Sequence, residues 1–155
     1  MPRPTPLGKS KPQTDQEDEI MVPQTSNPID DLLALHETAH DALKQGDSNS
    51  ALLHFRGIVH EADSILRRKY ESEDHRDLVL GSSFHAVYGD ALHQLGMMSE
   101  QVQDYLVAAE ERFNQVEECD RDNFYLELQG KLLIDKVCFL YFVVKDLLTV
   151  AYLEF

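Results

Sequence analysis

The chain has 155 residues, with 28 acidic against 14 basic side chains and a formal net charge of −14. That length allows one domain at most, and the charge argues against gripping a nucleic-acid backbone, which takes clustered Lys and Arg. Its two cysteines, Cys119 and Cys138, lack metal-like spacing, so free thiols in a reducing compartment are expected.

Residues 1–26 hold five of the six prolines and the acidic cluster Asp15-Gln16-Glu17-Asp18-Glu19, with no helical periodicity. They read as a disordered tail. Arg3, Lys9 and Lys11 make only a thin basic run, weak as a nuclear-import signal. No apolar core follows Met1, so no secretory leader is expected.

Asn27-Pro28 marks a helix start, with Asn as N-cap acceptor and Pro at the first helical position, where its missing N–H costs nothing. This first helix runs to about Gln45, with Ile29, Leu32, Leu33, Leu35, Ala39, Ala42 and Leu43 on its apolar side and Gly46 as its C-cap. Asp47 or Ser48 caps a second helix, where Ala51, Leu52, Phe55, Ile58, Val59, Ala62 and Leu66 recur at three- and four-residue steps.

Residues 71–76 read as a charged linker. A third helix follows, with Phe84, Val87, Tyr88, Ala91, Leu92 and Leu95 on one stripe and Gly96 as its stop. Ser99 is expected to cap a fourth, which carries Val102, Tyr105, Leu106, Ala109, Phe113 and Val116. After a polar turn over 119–123, a fifth starts near Phe124, with Leu128, Leu132 and Val137 along one side.

Asp41-Ala42-Leu43-Lys44-Gln45 returns, with one change, as Asp90-Ala91-Leu92-His93-Gln94, and a glycine follows each copy closely. Each copy ends the leading helix of a hairpin. The first hairpin reads like a tetratricopeptide unit, but the copies lie 49 residues apart rather than the 34 of a regular array. The expected fold is therefore all-α: about five helices in irregular tetratricopeptide-like antiparallel hairpins over 27–136.

Residues 137–155 stand apart. Val137 to Val144 is an unbroken apolar run, too short to span a bilayer, which takes roughly 20 residues. The segment reads as a last buried helix or as an apolar end that needs a neighbour. Val137-Cys138 can also be encoded by GTATGT, a common yeast-type intron start, so translated intron is a third reading.

His36-Glu37-Thr38-Ala39-His40 matches H-E-x-x-H, which on a helix sets two imidazoles on one face for zinc, with Glu as general base. A catalytic zinc needs a third protein ligand. The extended form of the motif would require Gly at 43 and His at 46, where Leu43 and Gly46 stand. Glu61 is the downstream carboxylate to nominate, and no sheet accompanies the helix. His36 and His40 are accordingly expected on a solvated face, and His54, His60, His75, His85 and His93 as structural imidazoles. No catalytic residue, metal ligand or cofactor is assigned.

His60, Asp63 and Arg67 share a face of the second helix, one turn beyond Gly57. The plainer reading is a surface ion-pair ladder with a close helix crossing at Gly57. The alternative is a polar recognition stripe.

The segment Gly57-Ile58-Val59-His60-Glu61-Ala62-Asp63-Ser64-Ile65-Leu66-Arg67 resembles Gly-Ile-(Val/Ile)-His-Glu-Cys-Asp-x-Leu-Leu-Arg of the fungal enhancer-of-translation-termination family. Phe84-His85-Ala86-Val87-Tyr88, with Ala91-Leu92 after it, is similar to that family's Phe-His-x-(Ile/Val)-Tyr-x-x-Ala-Leu. The opening Met1-Pro2-Arg3-Pro4-Thr5-Pro6-Leu7-Gly8-Lys9 also resembles the family's start. The likeness covers about residues 1–135, and family members are much longer. Ala62 stands where Cys is usual, so nothing that depends on that thiol carries over.

The resemblance implies a non-enzymatic, tetratricopeptide-like nuclear adaptor that affects stop-codon readthrough. It implies a protein partner: a 2-oxoglutarate-dependent prolyl-hydroxylase-like dioxygenase, as for a related fission-yeast regulator, or the termination machinery. His60, Glu61, Asp63, Arg67 and His85 are the candidate partner-binding residues, and neither cofactor, nucleic acid nor membrane is implied. The alternatives are a generic tetratricopeptide co-chaperone, which the acidic surface disfavours as a clamp for acidic peptide termini, and a zinc hydrolase through His36, Glu37 and His40.

Overall fold

A computed structural model describes residues 27–71, 73 and 80–154. The expected tail over 1–26, and residues 72 and 74–76 of the expected linker, lie outside the described residues. Five α-helices follow one another: α1 (Pro28–Lys44), α2 (Ser48–Glu71), α3 (Ser82–Met97), α4 (Val102–Phe113) and α5 (Asn123–Leu153). No strand occurs among the described residues.

Local chemistry sets the helix ends. Asn27 Oδ1 accepts the Ile29 N–H at 3.2 Å, with Pro28 in the first turn. At the other end of α1, Gly46 takes φ +79°, which a side chain would strain. The Asp47 N–H then reaches Ala42 O and the Gly46 N–H reaches Leu43 O, the paired bonds of a Schellman turn. Asp47 caps α2 by accepting the Ser50 N–H at 3.0 Å and the Ser50 hydroxyl at 2.6 Å.

The third and fourth helices end differently from expectation. Gly96 lies inside α3, which continues to Met97. A Cβ there would come within 2.8 Å of Tyr105 Cβ, and one at Gly89 within 2.7 Å of the Phe113 ring. Glycine spaced seven residues apart thus lets α4 lie close along α3, rather than stopping the chain. Ser99 does not cap α4 from the N-cap position; its hydroxyl accepts the Gln101 N–H at 3.0 Å, one turn ahead of the helix.

Short turns make α1 and α2, and α3 and α4, antiparallel hairpins. Gly57 packs against Leu35 of α1, as the expected close crossing requires. α3 touches all four other helices. It is accordingly buried almost all round, with Phe84, Val87, Ala91, Leu92 and Leu95 joined by Gly89, Asp90 and His93. Phe55, Ile58 and Ile65 of α2 and Phe113 of α4 complete the core. Burial of each such side chain is worth about 1.5–3 kcal/mol.

α5 divides in two. Asp122 caps it by accepting the Tyr125 N–H at 2.8 Å, and the Tyr125 hydroxyl donates to Phe113 O at 3.0 Å. Tyr125, Leu128 and Leu132 are buried. Beyond Lys136 the helix runs on with little cover from the other described residues. Val137, expected on the packed side, is exposed, as are Leu140, Tyr141, Phe142, Leu147 and Leu148. The reading of this segment as a buried helix is therefore corrected: only Phe139 is partly covered by the core. No helix among the described residues is long and apolar enough to cross a membrane.

Candidate functional site

Helical spacing puts His36 and His40 one turn apart on α1. The face they share is turned toward α3, not toward solvent. His36 is buried and His40 partly so, which corrects the expectation of a solvated pair. Both reach the same atom. His36 Nε2 lies 2.7 Å and His40 Nε2 2.6 Å from Oδ2 of Asp90, whose side chain is fully buried.

A carboxylate has no proton to give, so each imidazole donates from Nε2–H to that one oxygen. The two Nε2 atoms are 3.2 Å apart, a crowding of donors rather than a bond between the rings. Burial works against the charge on Asp90, but the hydrogen bonds and the nearness of His36 and His40 outweigh it and hold the carboxyl below the usual carboxylate range. Gln94 approaches the other carboxylate oxygen at 3.4 Å. Phe124 and Phe55 stand edge-on to the His36 and His40 rings, which fixes their planes.

A groove of about 590 Å³ between α1 and α5 opens onto this cluster. Glu37, Glu127 and Lys131 line it beside the two imidazoles, and Glu127 and Lys131 pair with each other at 2.7 Å. The three groups His36, His40 and Asp90 bring their donor atoms within metal-ligand range of one another. Glu61, the carboxylate nominated from the sequence, is elsewhere and pairs with Arg68 at 2.8 Å.

A second imidazole–carboxylate pair lies one turn further along α3. His93 Nε2 meets Asp135 of α5 at 2.7 Å, while His93 Nδ1 is buried without a partner among the described residues. Hence the second copy of the repeated pentapeptide contributes Asp90 toward α1 and His93 toward α5. Asp90 was absent from the sequence-derived candidates. Its position in the repeat, together with the H-E-x-x-H spacing on the partner helix, is the signal that could have found it.

Of the five candidate partner-binding residues, His60, Glu61, Asp63 and Arg67 lie on α2 and His85 on α3. His60 and Arg67 are exposed on α2. Asp63 accepts a short hydrogen bond from the Tyr88 hydroxyl, and Arg112 stacks 4.9 Å over the Tyr88 ring. Burial and the Asp63 charge push the Tyr88 hydroxyl well above its ordinary pKa. His85 packs edge-on to Phe84, and burial, Arg112 and Lys69 lower its pKa. The ion-pair ladder expected from His60, Asp63 and Arg67 is replaced by the Glu61–Arg68 pair and a tie from Asp63 to α3.

A family model described as nuclear pore complex subunit Nro1 matches residues 6–149. The similarity therefore continues well past residue 135, where the sequence reading had it stop. No curated protein and no solved structure matches the chain.

Proposed function

The chain belongs to the Nro1 family, and from that membership we propose that it is a non-enzymatic nuclear regulator that acts by binding another protein. The nuclear assignment agrees with the family's description as a nuclear pore complex subunit. One observation supports the binding role above the rest. The second half of α5 presents Leu140, Tyr141, Phe142, Val144, Leu147 and Leu148 to solvent, inside the span the family model matches. A contiguous exposed apolar surface of this kind is characteristic of protein interaction sites.

The finer reading is control of translation termination. The partner is a 2-oxoglutarate-dependent prolyl-hydroxylase-like dioxygenase or the termination machinery, as the sequence resemblance to the enhancer-of-termination family implies. His60 and Arg67 offer a polar edge on α2 for the same partner. A co-chaperone role is disfavoured by the net charge of −14, since a clamp for acidic peptide ends needs basic side chains.

Affinity purification with mass spectrometry, run beside a stop-codon reporter, tests this. The expected result is recovery of a dioxygenase or termination factor, lost when Leu140→Asp and Leu147→Asp are combined, and altered readthrough after deletion of the gene. Unchanged readthrough together with no such partner would overturn the termination reading.

A further inference from the structure

We propose that His36, His40 and Asp90 form a binding site for one divalent first-row transition cation, which clamps the first hairpin to the second. The site goes beyond the adaptor role and does not depend on it.

The geometry carries the proposal. Three donor atoms from two helices converge, with edges of 2.7, 2.6 and 3.2 Å. A triangle of those sides has a circumscribed radius of about 1.7 Å, so a point at a normal metal–nitrogen distance of about 2.0–2.1 Å from all three exists without moving any of them. Tetrahedral bonds of that length would hold the ligands about 3.4 Å apart, and perpendicular bonds about 3.0 Å apart. The observed edges lie nearer the second value. They suit three adjacent corners of an octahedron, the two-histidine, one-carboxylate arrangement, better than a tetrahedral zinc site.

The surroundings suit an ion as well. The two Nε2–H groups now crowd one oxygen; a cation would bond both Nε2 atoms instead, each neutral ring keeping its single proton on Nδ1. The aromatic rings of Phe55 and Phe124 and the Gln94 amide orient the three ligands, as supporting groups do around metal sites. Entry is from the groove, where His40 is partly exposed and Glu37, Asp41 and Glu127 face Lys44 and Lys131. The remaining coordination positions would be left to water. The other cluster of potential ligands among the described residues, Glu117, Cys119 and Asp120, is exposed on a turn, with Asp120 held by the Ser82 hydroxyl.

The test is titration of the metal-free full chain with Co²⁺, followed by calorimetry and by the cobalt absorption spectrum, with Zn²⁺ as competitor. The expected result is one ion per chain and a rise in melting temperature on saturation. His40→Ala, a change at a partly exposed position, is expected to weaken binding at least 100-fold and to abolish the rise in melting temperature. Removing a supporting group around a metal typically costs 10–100-fold, and removing a ligand costs more. If His40→Ala does not fold, Co²⁺-induced broadening of the His36 and His40 ring signals in the unaltered chain is the second readout. Absence of saturable one-to-one binding, equal affinity in His40→Ala, or ring signals that Co²⁺ leaves unbroadened would each overturn the site.

Discussion

Asp41–Gln45 and Asp90–Gln94 differ at one position, the first closing α1 with Gln45 as its C-cap and the second lying in the last turns of α3. Their surroundings are opposite. Asp41 and Lys44 form an i,i+3 pair with side chains 63% and 76% exposed. In the second copy Asp90 is fully buried and His93 nearly so, each tied to a different helix. The difference comes from position in the array: α1 is packed along one face, while α3 is surrounded by the other four helices. The same aspartate thus acts as a solvated end in one hairpin and as a cross-brace in the other, and the one position that differs, Lys44 or His93, follows it.

Loss of the Asp90 carboxylate should separate the copies most. Asp90→Ala leaves two imidazole donors without their acceptor in the core, and a cost of about 3 kcal/mol is expected in denaturant unfolding. Asp41→Ala should leave the midpoint where it is. Equal shifts in the two variants would dissolve the contrast.

Exchanging the single differing residue sharpens it. His93→Lys makes the second copy match the first but places an ammonium group on a long flexible chain where a buried ring now packs, at an expected cost of about 2–3 kcal/mol. Lys44→His, the reciprocal change on an exposed side chain, should have no measurable effect.

The glycines that follow the copies are distinguished by smaller numbers. Gly96→Ala should cost about 2 kcal/mol, because its new methyl group meets Tyr105 Cβ, which cannot swing aside. Gly46→Ala meets nothing within 4 Å but must hold φ at +79°, so about 1 kcal/mol is expected. Gly46→Asn should cost less than Gly46→Ala, since Asn tolerates that conformation. Thermal melts of the three variants would reveal whether one glycine serves the turn and the other the packing.

Helix boundaries and hairpins were legible because they depend on local signals: Asn27-Pro28, Gly46-Asp47 and apolar residues at helical steps. The His36–His40–Asp90 cluster was only half legible. H-E-x-x-H announces a shared face, but which way that face points depends on how α3 lies against α1. A contact spanning 54 residues leaves no mark in either segment alone. Gly96 misled for a related reason, since a glycine near a helix end is usually a stop, and only the nearness of α4 makes it a packing residue. The resemblance found the family, but the five candidate residues it highlighted are spread between an exposed face and an inter-helix tie.

α5 is roughly 46 Å of continuous helix, anchored over less than half its length. Its first half is held by Tyr125, Leu128 and Leu132. From Val137 on, apart from Phe139, the described residues leave it little beyond its own backbone ladder, and over half of that stretch is Val, Thr, Phe and Tyr, which are indifferent helix formers. Short unsupported helices are marginal in water. Amide protons before residue 136 should therefore exchange only on global opening, and those after it through local fraying. Whatever protein covers this segment would be felt first as a slowing of that exchange: a rod with one restless end is quieted by docking.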